Sequence, residues 1–157
     1  MLPLRVHSEI QRIDALVRNL ESFVDDADPI VQNVFANHLV LAGAGLVEKS
    51  VIVILAEFSQ KRGCPPLSSY VEQTVSYHNS LNCEKIEKIL GGFDKNWWGS
   101  VVGLAPESSR AAIDSLKALR DQIAHGRPNG TGFATVRGYY IEAKKFINCL
   151  NDVINPA

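Results

Sequence analysis

"HLVLAGAGLVEKSVIVILAEF", residues 38–58, is apolar on nearly every side when it is drawn as a helix. A surface helix needs only one apolar face, so a helix that is apolar all round belongs at the centre of a bundle. Glu48 and Lys49 interrupt the apolar run before the roughly 18 residues typical of a membrane-spanning helix. Gly43 and Gly45 have low helix propensity. They indicate a close helix contact, either in the core or between two copies of the chain.

The residues around this stretch give the central helix its ends. Asp28 is a good N-cap and Pro29 suits the first helical position, so we expect a helix from Pro29 to about Arg62, with Gly63 after its end. Apolar spacing and turn residues predict four further helices and the start of a fifth. They cover residues 5–24, 67–81, 83–90 and 135–154, with one more beginning at Pro106, and residues 91–105 are expected to form a loop with a short turn. The predicted fold is a single all-α domain over residues 1–157, an antiparallel helical bundle of five or six helices around one long central helix.

The charge of the chain is small in total but unevenly spread. The net charge of −1 excludes a general polybasic nucleic-acid binder. Residues 110–145 nevertheless hold seven basic and three acidic side chains, whereas the rest of the chain holds nine basic and fourteen acidic ones. A local basic patch of this kind can bind a few phosphates.

The cysteines indicate neither a metal site nor a disulfide framework. Cys64, Cys83 and Cys149 are far apart and lack the spacing of metal ligands. We therefore expect reduced thiols, no metal, no cofactor and a cytoplasmic location. The N-terminal residues contain no apolar stretch of signal-peptide length, and no membrane association is expected.

One polar cluster departs from the plain bundle pattern, in "LRDQIAHGRP", residues 119–128. Asp121 and His125 are four residues apart on the solvent side of a helix, so their side chains can touch. A carboxylate beside an imidazole fixes its tautomer, and a helix C-terminus favours its charged form, so His125 could act as a general acid or base. Arg120 offers a planar cation suited to a phosphate. The same residues at an exposed helix end are also common without any function.

Arg120 and His125 cannot easily act together within one chain. They are five residues apart, about 7.5 Å along the helix axis, and point in different directions. A two-fold dimer that packs these helices together would bring two arginines and two histidines into one cleft.

Three other polar residues have a functional and a structural interpretation. Glu48 lies in the apolar central helix and needs a partner: either Arg120 near the site, or a purely structural ion pair or exposure at a helix edge. Arg127 and Asn129 lie in a glycine-rich loop directly after the motif. They either contact an RNA backbone or form an ordinary solvated loop.

The spacing Arg120-x4-His125, with a polar residue after the arginine and "AHG" at the close, resembles the signature of the HEPN domains. The resemblance continues in order through "GLVEKSVIVILAEF" (45–58), "FDKNWWGSVV" (93–102) and "LKALRDQIAHG" (116–126). This set is similar to the RiboL-PSP-HEPN type over about residues 35–128.

The resemblance implies a function. Many HEPN proteins are metal-independent endoribonucleases that work as homodimers with a composite active site, often as toxins with an antitoxin protein or in phage defence. It implies that Arg120 stabilises the phosphoryl charge, that His125 moves a proton and that Asp121 orients the site. The products would be a 2′,3′-cyclic phosphate and a 5′-hydroxyl. Two alternatives stay open: a catalytically silent HEPN module that dimerises and binds a nucleotide or a protein, and a plain helical adaptor.

Overall fold

The computed structural model describes residues 1–63 and 65–156, and this part of the chain contains seven helices and no strand. The all-α prediction is therefore confirmed. The helices are α1 (Leu4–Glu21), α2 (Pro29–Arg62), α3 (Pro65–Ser76), α4 (Cys83–Gly91), α5 (Trp97–Leu104), α6 (Glu107–Ala124) and α7 (Phe133–Ile154).

Helix α2 is the centre of the bundle and has the predicted bounds. Asp28 caps its start by accepting a hydrogen bond of 2.8 Å from the backbone N–H of Ile30, and Pro29 occupies the first turn. By length and composition α2 could cross a membrane, so Glu48 and Lys49 do not rule this out by themselves. However, 67% of its most apolar window is buried inside the fold, which favours a core helix.

Helices α1 and α7 run in opposite directions. Glu21 at the end of α1 pairs with Arg137 near the start of α7 at 2.8 Å, and Asp14 pairs with Lys144 at 2.7 Å. The buried Tyr140 donates a hydrogen bond to the same Asp14 carboxylate, at 2.8 Å. Ion pairs and one buried hydroxyl therefore fix α1 on α7.

Helix α7 runs alongside α2 in the same direction. Asn155, directly after α7, donates to the Ile54 carbonyl late in α2, whereas Phe133 at the start of α7 lies beside Gln32 near the start of α2. The chain between the two helices, α3 to α6, makes the return and carries the polar cluster against α2.

Helix α5 replaces a predicted loop. Trp97 packs edge-to-face on Phe58 of α2, with ring centroids 4.9 Å apart, and stacks on Phe93 at 6.0 Å. This aromatic packing outweighs the low helix propensity of Gly99 and Gly103. Helix α3 also begins earlier than predicted, at Pro65, because proline is tolerated in a first helical turn.

The two glycines of α2 have different surroundings. A Cβ on Gly43 would lie 3.3 Å from the Leu116 side chain of α6, so this glycine permits a close contact in the core. A Cβ on Gly45 would meet nothing within 4 Å, and Gly45 is exposed.

Cys83 and Cys149 are free thiols, and Cys64 lies outside the described residues. Burial, followed by the nearby Asp114, raises the pKa of the Cys83 thiol to about 12. Cys83 therefore stays protonated at neutral pH and is a packing residue.

Candidate active site

The end of α6 is a regular helix stop that fixes His125. His125 is the C-cap residue, and Gly126 follows with φ +65°. The N–H of Gly126 donates to the Ile123 carbonyl at 3.0 Å, and the N–H of Arg127 donates to the Gln122 carbonyl at 2.9 Å. This pair of bonds is a Schellman motif, which needs a left-handed residue and favours glycine there. The His125 side chain is exposed, and the Schellman motif fixes the backbone around it.

Arg120 lies five residues earlier and faces Glu48 of α2. Its Nε is 4.0 Å from Glu48 Oε1, and the two side chains are 31% and 20% exposed. At this distance the two side chains form an ion pair, but they are too far apart for a hydrogen bond. Glu48 therefore has Arg120 as its charged partner. Among residues 1–63 and 65–156 the guanidinium donates no hydrogen bond, so its N–H groups are available to a phosphate.

Asp121 has both carboxylate oxygens occupied. Lys117 Nζ lies 2.5 Å from Oδ2, and the Ser80 hydroxyl donates to Oδ1 at 2.7 Å. The hydrogen bonds from Lys117 and then Ser80 lower the pKa of this carboxyl. Asp121 meets His125 through the backbone, where the His125 N–H donates to the Asp121 carbonyl at 3.0 Å. The expected side-chain contact with His125 is absent within the described part of the chain, because Lys117 takes the carboxylate.

Ser80, between α3 and α4, joins the cluster although sequence reasoning missed it. Its backbone N–H donates to Glu48 Oε1, and its hydroxyl binds Asp121. It also has a φ of +56°, which is uncommon for a residue other than glycine. No local pattern marks this serine, since both partners are more than thirty positions away.

The two predicted RNA-binding residues in the loop after the motif differ in exposure. Arg127 is exposed, whereas Asn129 is only 6% exposed. The Asn129 amide donates to Asn37 Oδ1 at 2.9 Å, and its backbone carbonyl accepts a bond of 2.5 Å from Asn33. Its Oδ1 accepts the Thr131 N–H at 3.0 Å. Asn129 thus anchors the loop on α2 and does not face an incoming ligand.

An exposed apolar row on α2 leads to the cluster. We name it the α2 stripe, and it consists of Ile30, Val34, Leu41 and Gly45. The three apolar side chains are between 44% and 76% exposed. At about 100° per residue, these positions and Glu48 lie within about 60° of one another around the helix. A contiguous exposed apolar patch is a candidate interaction surface.

The polar cluster lies at the surface of the chain, where its side chains are partly or fully exposed. Two open clefts, of 480 and 520 Å³, lie elsewhere, one lined by Gln32 and Phe133 and the other by Pro3 and Glu57. Within residues 1–63 and 65–156, no three His, Cys, Asp or Glu side chains lie close enough to hold a metal ion.

The all-helical bundle is consistent with the fold of a HEPN-type domain. The RiboL-PSP-HEPN family profile matches residues 8–156, so the chain belongs to the RiboL-PSP-HEPN family. No curated protein and no solved structure gives a significant match.

Proposed function

We propose that this protein is a metal-independent endoribonuclease of HEPN type. The observation that carries the proposal is the Arg120 guanidinium. It is restrained by Glu48, has no hydrogen bond within the described residues, and lies on the helix that ends at the exposed His125. Membership of the RiboL-PSP-HEPN family supports this function, since HEPN domains serve as RNases or nucleotide-binding modules.

In the proposed reaction the substrate supplies its own nucleophile. The ribose 2′-oxygen attacks the adjacent phosphorus, and the bond from phosphorus to the 5′-oxygen breaks. Arg120 stabilises the charge that builds on the phosphoryl oxygens. His125 accepts the proton of the 2′-hydroxyl or donates one to the leaving 5′-oxygen. The products are a 2′,3′-cyclic phosphate and a 5′-hydroxyl.

Asp121 and Arg127 have supporting roles in this proposal. Asp121, through Lys117 and Ser80, orients the helix face that carries Arg120. Arg127 is exposed directly after the motif and is placed to contact the RNA backbone.

We propose that the active site is completed in a homodimer. Arg120 and His125 are about 140° apart around the helix axis, so one chain cannot direct both at the same phosphate. The exposed α2 stripe, which is continuous with Glu48, is the surface that we expect the second copy to cover. Gly45 would allow close approach there. Ala124 is exposed beside His125, and a bulky residue in its place should weaken both dimer and cleavage.

A second candidate is a catalytically silent HEPN module that dimerises and binds a nucleotide or a protein. The net charge of −1 favours it, because a stand-alone nuclease needs affinity for a polyanion. For the active enzyme we propose a cytoplasmic toxin or phage-defence effector, restrained by an antitoxin protein.

The deciding experiment is RNA cleavage in EDTA by wild type, Arg120→Ala and His125→Ala, with end-group analysis of the products. His7→Ala, which removes an exposed histidine of α1, is the matched control. Cleavage by wild type and the control alone, with cyclic phosphate ends, supports the nuclease and both residue roles. If wild type binds nucleotide in calorimetry but cleaves none of a pool of cellular RNAs, the silent module replaces the nuclease.

A further inference from the structure

Ser80 donates a hydrogen bond to each of the two acids of the cluster, Glu48 of α2 and Asp121 of α6. We propose that Ser80 is a positioning residue for RNA cleavage, which holds these two carboxylates so that Arg120 stays oriented but free to bind phosphate. This inference rests on the proposed function and adds a residue to its site.

The contact with Glu48 limits how strongly that acid binds Arg120. The Ser80 N–H donates to Oε1, the same oxygen that lies 4.0 Å from Arg120 Nε. An unrestrained glutamate would form a close hydrogen-bonded pair with the guanidinium and occupy its N–H groups. With Oε1 held by Ser80, Glu48 keeps Arg120 in place by charge while leaving those N–H groups for a phosphate.

The contact with Asp121 fixes the serine itself relative to α6. The hydroxyl donates to Asp121 Oδ1, and Lys117 binds the other oxygen. Lys85 Nζ donates to the Ser80 carbonyl at 3.2 Å and to the Asn79 carbonyl at 3.1 Å. The α3–α4 loop is therefore attached to the helix that carries Arg120, and Glu48 is held at a defined distance from it.

The backbone conformation of Ser80 separates its functional from its structural contribution. At φ +56° glycine fits without steric cost, whereas serine is strained. Glycine would also keep the N–H that binds Glu48. What serine adds is the hydroxyl on Asp121, and this is the group that we assign to positioning.

The test is Ser80→Gly, which removes the hydroxyl and relieves the strain. We expect thermal stability at or above that of wild type, a kcat about tenfold lower or more, and a KM within about twofold. In the Asp121→Ala background the same change should lower kcat no further, because the partner of the hydroxyl is already gone. Ser22→Gly is the control. It removes an exposed hydroxyl that binds the Asn19 carbonyl at the end of α1, and kcat should not change.

A second measurement tests the positioning role of Ser80 independently of nuclease activity. The pKa of the Asp121 carboxyl, measured by carbon NMR, should rise in Ser80→Gly, because one of the hydrogen bonds that lower it is lost. An unchanged titration, or an unchanged kcat in an active enzyme, overturns the role of Ser80. If wild type cleaves no RNA while the titration moves, the nuclease proposal fails and Ser80 keeps its positioning of Asp121.

Discussion

Replacing Gly126 by alanine tests how the backbone holds His125. A Cβ at this position would meet nothing within 4 Å, so the substitution causes no clash. Its cost arises from φ +65°, which disfavours an L-residue by about 1–2 kcal/mol. Alanine also lowers the conformational entropy of the unfolded chain, which stabilises the folded state by about 0.4–1 kcal/mol. The net loss of unfolding free energy should be about 1 kcal/mol, or about 2–4 °C in Tm for a chain of this size.

Gly138→Ala is the matched control. It is the same substitution in the same open surroundings, but Gly138 lies within α7 and its φ is outside the left-handed region. Alanine in a helix should raise the stability by about 0.5–1 kcal/mol. The two variants should therefore move in opposite directions in urea unfolding followed by helical circular dichroism. Gly126→Asn should fall between Gly126→Ala and wild type, because asparagine tolerates the left-handed region.

RNA cleavage should separate the two glycine variants further. Gly126→Ala should lower kcat at temperatures where the protein is fully folded, because the strained turn displaces His125, whereas Gly138→Ala should not. If Gly126→Ala is as stable as wild type, the turn does not depend on the left-handed glycine. If it is less stable but equally active, the turn does not position a catalytic histidine.

Three further predictions concern the surface, the loop and the pH dependence. Leu41→Asp in the α2 stripe should shift the mass measured by light scattering from dimer to monomer. Leu104→Asp on α5, which is also exposed, should leave the dimer intact. An unchanged dimer in Leu41→Asp would contradict the proposed interface. Asn129→Ala should lower the unfolding free energy by about 1–3 kcal/mol, because it leaves buried polar groups without partners, whereas a change within 0.5 kcal/mol, as for a typical surface substitution, would contradict the anchoring role. The pKa of Glu142 is lowered to about 2, first by the hydrogen bond from Lys145. The contribution of the Glu142 carboxylate to the unfolding free energy should therefore be complete above pH 4.5 and disappear toward pH 2. In urea unfolding, Glu142→Gln should be less stable than wild type at pH 7 and equal to it near pH 2. A stability difference independent of pH would contradict this assignment.

The helices that could be predicted from sequence are those with local signals. Asp28, Pro29 and the apolar run of α2 set that helix without reference to the rest of the chain. The helix end at His125 was also predictable, since a glycine follows directly. Helix α5 was not, because its glycines argue against a helix and the aromatic contact of Trp97 with Phe58 appears only in the folded chain.

The site was predictable in its helical part and not in its surroundings. The spacing of Arg120 and His125 and an acid in α2 could be recognised in the sequence. That Lys117 and Ser80 would take the Asp121 carboxylate, and that Asn129 would be buried, depends on contacts between distant segments. Such contacts leave no periodic signal.

The cluster around Ser80 closes the chain over separations of 32 and 41 residues. Closing loops of this length has an entropic cost that two hydrogen bonds do not offset, so the packed core must bring the segments together first. A chain partway through synthesis or folding carries Arg120 without Glu48 and Ser80 in place around it. In the proposed nuclease, Arg120 would therefore be positioned for cleavage only once the fold is complete.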